Sequence, residues 1–183
     1  MHEELLIRHC APTLAGIKTG SLFLCPYQSK QDFLRSMRCL NCRLGSKGLR
    51  ALPLRFSEKK VLVYVYRPKQ LCADLAGDDT AAILKSFGYD TESCEKCLVR
   101  LAQKLRENGD FPHEIGLFLG YPAEDVRGFM ENGACGCKCV GCWKVYGDPE
   151  AAKKKFAQYK KCTRVYCDCL RKGSSIERLT VPV

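Results

Sequence analysis

Apolar residues recur at helical spacing in two places along the chain. Phe33, Met37, Leu40 and Leu44 form one stripe, with Ser29 placed as its N-cap and Gly45 and Gly48 as its stop. Leu98, Leu101 and Leu105 form the other, in a helix capped by Thr91 that runs to about Asn108, with Gly109 after it. Between them LRALPLRF and VLVYVYR, joined by SEKK, have the β-branched and aromatic content and the short connection of a β-hairpin. Pro53 makes the first of these an edge strand. Shorter signals fill the rest. A helix at 3–10 runs into the turn-rich stretch APTLAGIKTGS, Pro68 starts a helix, and another covers 79–87. FPHEIGLFLGYPAEDVRGFMENG holds two short helices broken at GYP, with Pro122 in the first helical position of the second. WKVY reads as a third strand, Asp148 caps a long helix from Pro149 to about 171, and Ser175 opens a last one. The sum is α+β, helices packed on a small, largely antiparallel sheet.

No repeat, low-complexity stretch or long linker divides the 183 residues, so a single domain over 1–183 is expected. Hydrophobic residues at 46% and charged residues at 27% are globular composition, which excludes a disordered chain. No apolar run approaches the roughly 18 residues of a membrane helix. The start, MHEELLIRHCAPT, lacks the plan of a secretory signal. A cytoplasmic setting follows as the expectation, and the fourteen cysteines then read as reduced thiols, metal ligands or small core residues.

The net charge of +10 is distributed basic–acidic–basic. Residues 1–60 carry eleven Lys and Arg against four Asp and Glu, residues 61–134 eight against twelve, and residues 135–183 eleven against four. Ends that dock on the middle are the simplest reading. The rival is a cationic face for an acidic protein partner or a small anionic ligand. Lys153, Lys154, Lys155, Lys160 and Lys161 lack interleaved aromatic residues, so specific nucleic-acid binding is not expected.

The sharpest chemistry is Cys135-x-Cys137-x-Cys139-x-x-Cys142. In an extended segment Cys135, Cys137 and Cys139 share a face, and the neighbouring glycines let the backbone wrap an ion. Four thiolates suit zinc, copper(I) or an iron–sulfur cluster, and Cys162 is a further candidate ligand with Cys139 and Cys142. The competing reading is a surface loop with ordinary thiols. Cys39-x-x-Cys42 and Cys94-x-x-Cys97 are both expected inside helices, Cys94 as a core residue on the Leu98 stripe. Neither has the strand-then-helix setting of a thioredoxin-like pair.

A second, enzymatic reading uses Cys10 as nucleophile, His113 and Glu114 as acid/base groups, and Lys18 and Arg67 to hold an anion in one cleft. Its bland alternative pairs Arg67 with a carboxylate such as Asp74 and has His113 merely satisfy a helix start. AGIKTGS lacks the order and the earlier glycine of a phosphate loop, and no dinucleotide fingerprint follows a strand, so no nucleotide cofactor is expected.

HCAPTLAGIKTGSLF, VYVYRPKQL, FPHEIGLFLGYPAEDVRGFM and CVGCWKVYGDPEAAKKKFAQYKKCT together span nearly the whole chain. On these phrases the chain resembles a family of uncharacterised, cysteine-containing bacterial proteins of about this length, common in anaerobes. The resemblance implies one domain and a source compatible with reduced thiols and oxygen-sensitive cofactors. It brings no activity with it. The functional expectation is therefore a thiol-rich metal- or iron–sulfur-binding or redox accessory protein. The alternatives are a Cys/His enzyme acting on an anionic small molecule and a basic interaction module without catalysis.

Overall fold

A strand that is apolar on both faces belongs in the middle of a sheet, and residues 61–66 are such a strand. In the computed structural model, which describes residues 3–107 and 111–182, β3 (Lys60–Tyr66) is the central strand of three. It pairs antiparallel with β1 (Gly20–Pro26) on one side and β2 (Arg50–Phe56) on the other. Pro53 lies on the edge strand as expected, beside a register shift between Pro53 and Arg55. Val61, Val63 and Val65 point to one face, where they pack with Leu6, Ile7, Cys10 and Leu14 of α1 (Glu3–Leu14). The same core takes Phe33, Met37, Leu40 and Leu44 of α2 (Lys30–Leu44). Ser29 caps α2, its hydroxyl accepting from Asp32 N at 3.3 Å.

The stretch read as a turn-rich loop is reassigned. α1 continues through Pro12 to Leu14, and β1 begins at Gly20. β1 escapes pattern reading because its alternation is inverted. Ser21 is buried, within hydrogen-bond distance of the Thr13 hydroxyl (2.9 Å), while Leu24 faces out.

The chain divides into two units, Met1–Gln70 with Tyr159–Val183, and Leu71–Gln158. Nineteen Lys and Arg against six Asp and Glu make the first strongly basic, while the second has eleven against fourteen. The first unit holds the three-stranded sheet, α1, α2, the end of α8 (Pro149–Arg171) and α9 (Ile176–Leu179). Ser175 caps α9 through Arg178 N.

The second unit is helical around one small hairpin. α3 (Pro68–Leu75) leads into it, followed by α4 (Asp78–Ser86), α5 (Cys94–Lys104), α6 (Ile115–Phe118) and α7 (Ala123–Asn132). The cap of α5 is Ser93, not Thr91, and its expected stop at Asn108 and Gly109 lies outside the described residues. Pro122 is the cap of α7 and not its first helical residue. The strand expected at WKVY is only two residues long. β5 (Lys144–Val145) pairs with β4 (Cys139–Val140) and forms a two-stranded sheet separate from the first. Leu84, Leu101, Phe118 and Val145 are buried in this unit.

Candidate functional site

The β4–β5 hairpin is the feature of the second unit with most accessible chemistry. Gly141 N donates to Trp143 O at 3.0 Å, closing the turn, and Lys138 N donates to Val145 O at 2.7 Å, extending the ladder. A side chain on Gly141 would meet the Phe156 ring at 2.2 Å, so only glycine lets the turn lie on α8 there. Cys139 and Cys142 flank the turn, Cys139 half-buried and Cys142 exposed. Cys135 is exposed and Cys137 half-buried, with the Cys137 thiol donating to Ala134 O at 3.8 Å. Gly136, between them, has φ +71°, a conformation that favours glycine and bends the arm. Burial and the charges of Cys137 and Cys135 raise the Tyr146 phenol. None of the fourteen cysteines is in a disulfide. Among the described residues no group of three or more His, Cys, Asp or Glu side chains stands at metal-holding distances. Cys162 lies on the part of α8 that belongs to the first unit, and burial pushes its thiol up to about 11.

Trp143 and Lys144, which follow Cys142 directly, line a cavity of about 260 Å³ within the second unit. Phe111, His113, Tyr121 and Phe129 supply the other rings of its wall. Trp143 stacks on Tyr121 (centroids 4.7 Å apart) and meets Phe156 edge-on at 4.5 Å. Its indole N–H donates to Asp125 Oδ2 at 2.6 Å. Asp125 is buried and also accepts from Tyr146 N (2.7 Å) and Gly147 N (2.8 Å). One carboxylate thus fixes the tryptophan and the end of the hairpin to α7. His113 meets the edge of Phe129 at 4.9 Å, and the Lys144 ammonium sits 5.1 Å from the same ring.

Glu114 does different work from its neighbour. It is buried, accepts from Lys104 Nζ at 2.7 Å and from Tyr89 O–H at 3.0 Å, and so holds α5 to the start of α6. Lys104 lies over the rings of Tyr89 (4.8 Å) and Phe87 (5.1 Å). Burial and the adjacent Glu114 both push the Tyr89 phenol up, which keeps it a neutral donor.

In the first unit the expected anion-binding and nucleophilic residues have structural surroundings. Cys10 is fully buried, and that burial raises its thiol far above the ordinary range. The Lys18 charge and a Ser21 hydrogen bond oppose the rise without overcoming it. Lys18 lies 5.9 Å from the Tyr159 ring centroid. His9 stacks on Phe23 at 5.2 Å. Arg67 is also buried, and it is held by carbonyls, not by a carboxylate such as Asp74. Nε donates to Thr13 O (2.7 Å), Nη2 to Leu14 O (2.6 Å) and Val181 O (2.8 Å), and Nη1 to Lys47 O (3.0 Å). Thr13 and Leu14 end α1, where carbonyls lack helical partners and the helix dipole favours a cation. Cys10, Lys18 and Arg67 thus lie in the first unit, and His113 and Glu114 in the second.

The aromatic cavity itself was missed in sequence. Phe111, Tyr121, Phe129 and Trp143 come from separate stretches of the chain, and the Trp143–Asp125 bond and the Trp143–Tyr121 stack that bring the hairpin to α7 have no signal in the sequence pattern.

No curated protein and no solved structure matches the chain significantly. A family model does match, over residues 6–180, taking in both units, the thiol hairpin and the cavity. The chain therefore belongs to the family of proteins of unknown function DUF3793.

Proposed function

We propose that this protein is a thiol-rich accessory protein that takes up a soft metal, zinc or an iron–sulfur cluster, at the hairpin segment 135–142. The observation that carries this reading is the concentration of four cysteines, none in a disulfide, on one hairpin and the arm that leads into it. Cys139 and Cys142 flank one tight turn, and Cys135 and Cys137 lie on an arm that bends at Gly136. Uptake on this reading requires the arm to close on the turn, since no three of these side chains stand at metal-holding distances among the described residues. Thiolate ligation releases protons, so uptake strengthens as pH rises.

The test is elemental and absorbance analysis of protein purified without oxygen, followed by cobalt(II) or zinc titration. A defined stoichiometry that disappears in Cys139→Ser and Cys142→Ser supports the reading. Metal lost only in Cys39 or Cys94 variants, or none bound at all, overturns it.

The cavity beside the hairpin favours a second reading, a binding site for a small anionic aromatic ligand. Four aromatic rings offer stacking surface, and Lys144 and His113 offer the polar contacts. Trp143 is the single tryptophan of the chain, so its fluorescence reports occupancy directly. Titration with phenylacetate or benzoate, in the parent and in Lys144→Gln, tests it. Absence of any saturable fluorescence change sinks this second reading.

A further inference from the structure

The second unit has another cavity, of about 380 Å³, which shares Phe111 and His113 with the tryptophan cavity. Its volume suits a small organic molecule. Phe87, just after α4, and Met130 of α7 form its apolar wall together with Phe111. Both phenylalanines are exposed, so their rings are open to a ligand. The polar lining is Lys104 and Glu107, at the end of α5 and just after it, and Glu114, just before α6.

A carboxylate taken out of water needs hydrogen bonds on both of its oxygens. The Glu114 side chain is 2% exposed, yet its bonds are one-sided. Tyr89 O–H (3.0 Å) and Lys104 Nζ (2.7 Å) both donate to Oε1. Oε2 accepts no hydrogen bond from any described residue. No fully enclosed side-chain oxygen or nitrogen among the described residues lacks a partner, so Oε2 opens onto the cavity that Glu114 lines. Lys104 directs one N–H at Glu114, and an ammonium carries three. An open acceptor and open donors therefore lie side by side on two groups in contact.

Charge narrows the ligand further. Lys104 matches Glu114, and Glu107 is paired with Arg100 at 3.3 Å. With both carboxylates matched by cations, the cavity favours a neutral ligand over an ion. A neutral group with an N–H beside a C=O satisfies both open positions, and a planar ring attached to it packs on Phe87 and Phe111. We propose that this cavity binds a small neutral aromatic primary amide, its N–H on Glu114 Oε2 and its carbonyl on Lys104. Neither the hairpin thiols nor Lys144 lines the cavity, so this site is independent of both readings above.

The test is titration of the full-length protein with benzamide, occupancy being read by ligand-observed NMR. Acetophenone is the comparison, since it keeps the ring and the carbonyl and has a methyl group in place of the NH2. Benzamide is expected to saturate, and acetophenone to bind about tenfold more weakly, because it leaves Oε2 bare. Glu114→Gln can keep an oxygen toward Lys104 and Tyr89 while it turns an N–H toward the cavity. It is expected to weaken benzamide about tenfold and to leave acetophenone unchanged. Met130→Phe narrows the cavity without touching a polar group, and is expected to weaken both compounds alike. Each of four results overturns the proposal: benzamide that does not saturate, acetophenone that binds as tightly, a folded Glu114→Gln that holds benzamide like the parent, or Met130→Phe without effect. Where Glu114→Gln does not fold, the comparison of the two compounds in the parent decides.

Discussion

Arg67 bonds to three separate segments of the first unit, and its replacement by methionine tests that role. The guanidinium is 1% exposed and donates to Thr13 O, Leu14 O, Lys47 O and Val181 O. It joins the end of α1, the 3-10 turn at Gly45–Lys47 and the segment after α9. Methionine keeps much of the volume and none of the donors. Thr13 O and Leu14 O keep a second donor each, Gly16 N at 3.2 Å and Val181 N at 3.0 Å. Lys47 O and Val181 O lose theirs; both bonds are only part-buried, so water takes up some of the loss and each costs about 1 kcal/mol. Weaker anchoring at Thr13 and Leu14 adds to this, while removal of a buried charge offsets part. The net expectation for Arg67→Met is a loss of about 2 kcal/mol. With a urea dependence of about 2 kcal/mol per molar, the unfolding midpoint falls by about 1 M. Arg67→Lys keeps the charge but not the fork, and is expected between Arg67→Met and the parent. Circular dichroism in urea measures all three. A midpoint for Arg67→Met within about 0.3 M of the parent would refute the reasoning, and so would a loss for Arg67→Lys as large as for Arg67→Met.

Glu177 supplies a pH test. Hydrogen bonding from Arg43 holds its carboxyl down to about 2, against an ordinary 4.5, so its contribution is present above about pH 4.5 and fades as pH falls toward 2. The pair is partly exposed, so Glu177→Gln should cost under about 1 kcal/mol at neutral pH and flatten the acid limb of the stability curve; an unchanged limb counts against it. Glu114→Gln leaves half-buried Lys104 with a neutral partner and should cost about 2 kcal/mol in urea unfolding, a loss below about 0.5 kcal/mol being the contrary result. Strong reductant should leave the melting temperature almost unchanged, since none of the fourteen cysteines is in a disulfide; a fall of many degrees would point to bridges. Any binding to double-stranded DNA should vanish between low and moderate salt, and salt-resistant, sequence-selective binding would contradict the charge argument.

The reach of the sequence ended where side chains act across the chain. The α2 stripe, the Ser29 and Ser175 caps, the β2–β3 hairpin and the edge position of Pro53 are local signals, and the structure follows each. β1 was hidden because its inward Ser21 is satisfied by Thr13, a partner eight residues away that alternation cannot see. Arg67 read as an anion binder because a cation at a strand end usually faces solvent. The α1 carbonyls that surround it become acceptors only once the helix ends beside β3. Burial reversed the reading of cysteines in the same way. Cys10 drew attention through its neighbours His9 and Lys18, yet helix phase turns it into the core, where the thiolate is disfavoured. Cys94 lies on the Leu98 stripe in sequence, yet with the cap at Ser93 and not at Thr91 it is the first residue of α5 and only half-buried, while Cys97 one turn on is buried. Spacing along the chain therefore counts the thiols and marks the hairpin group, while burial, which separates an inert cysteine from an accessible one, is set by how the elements pack.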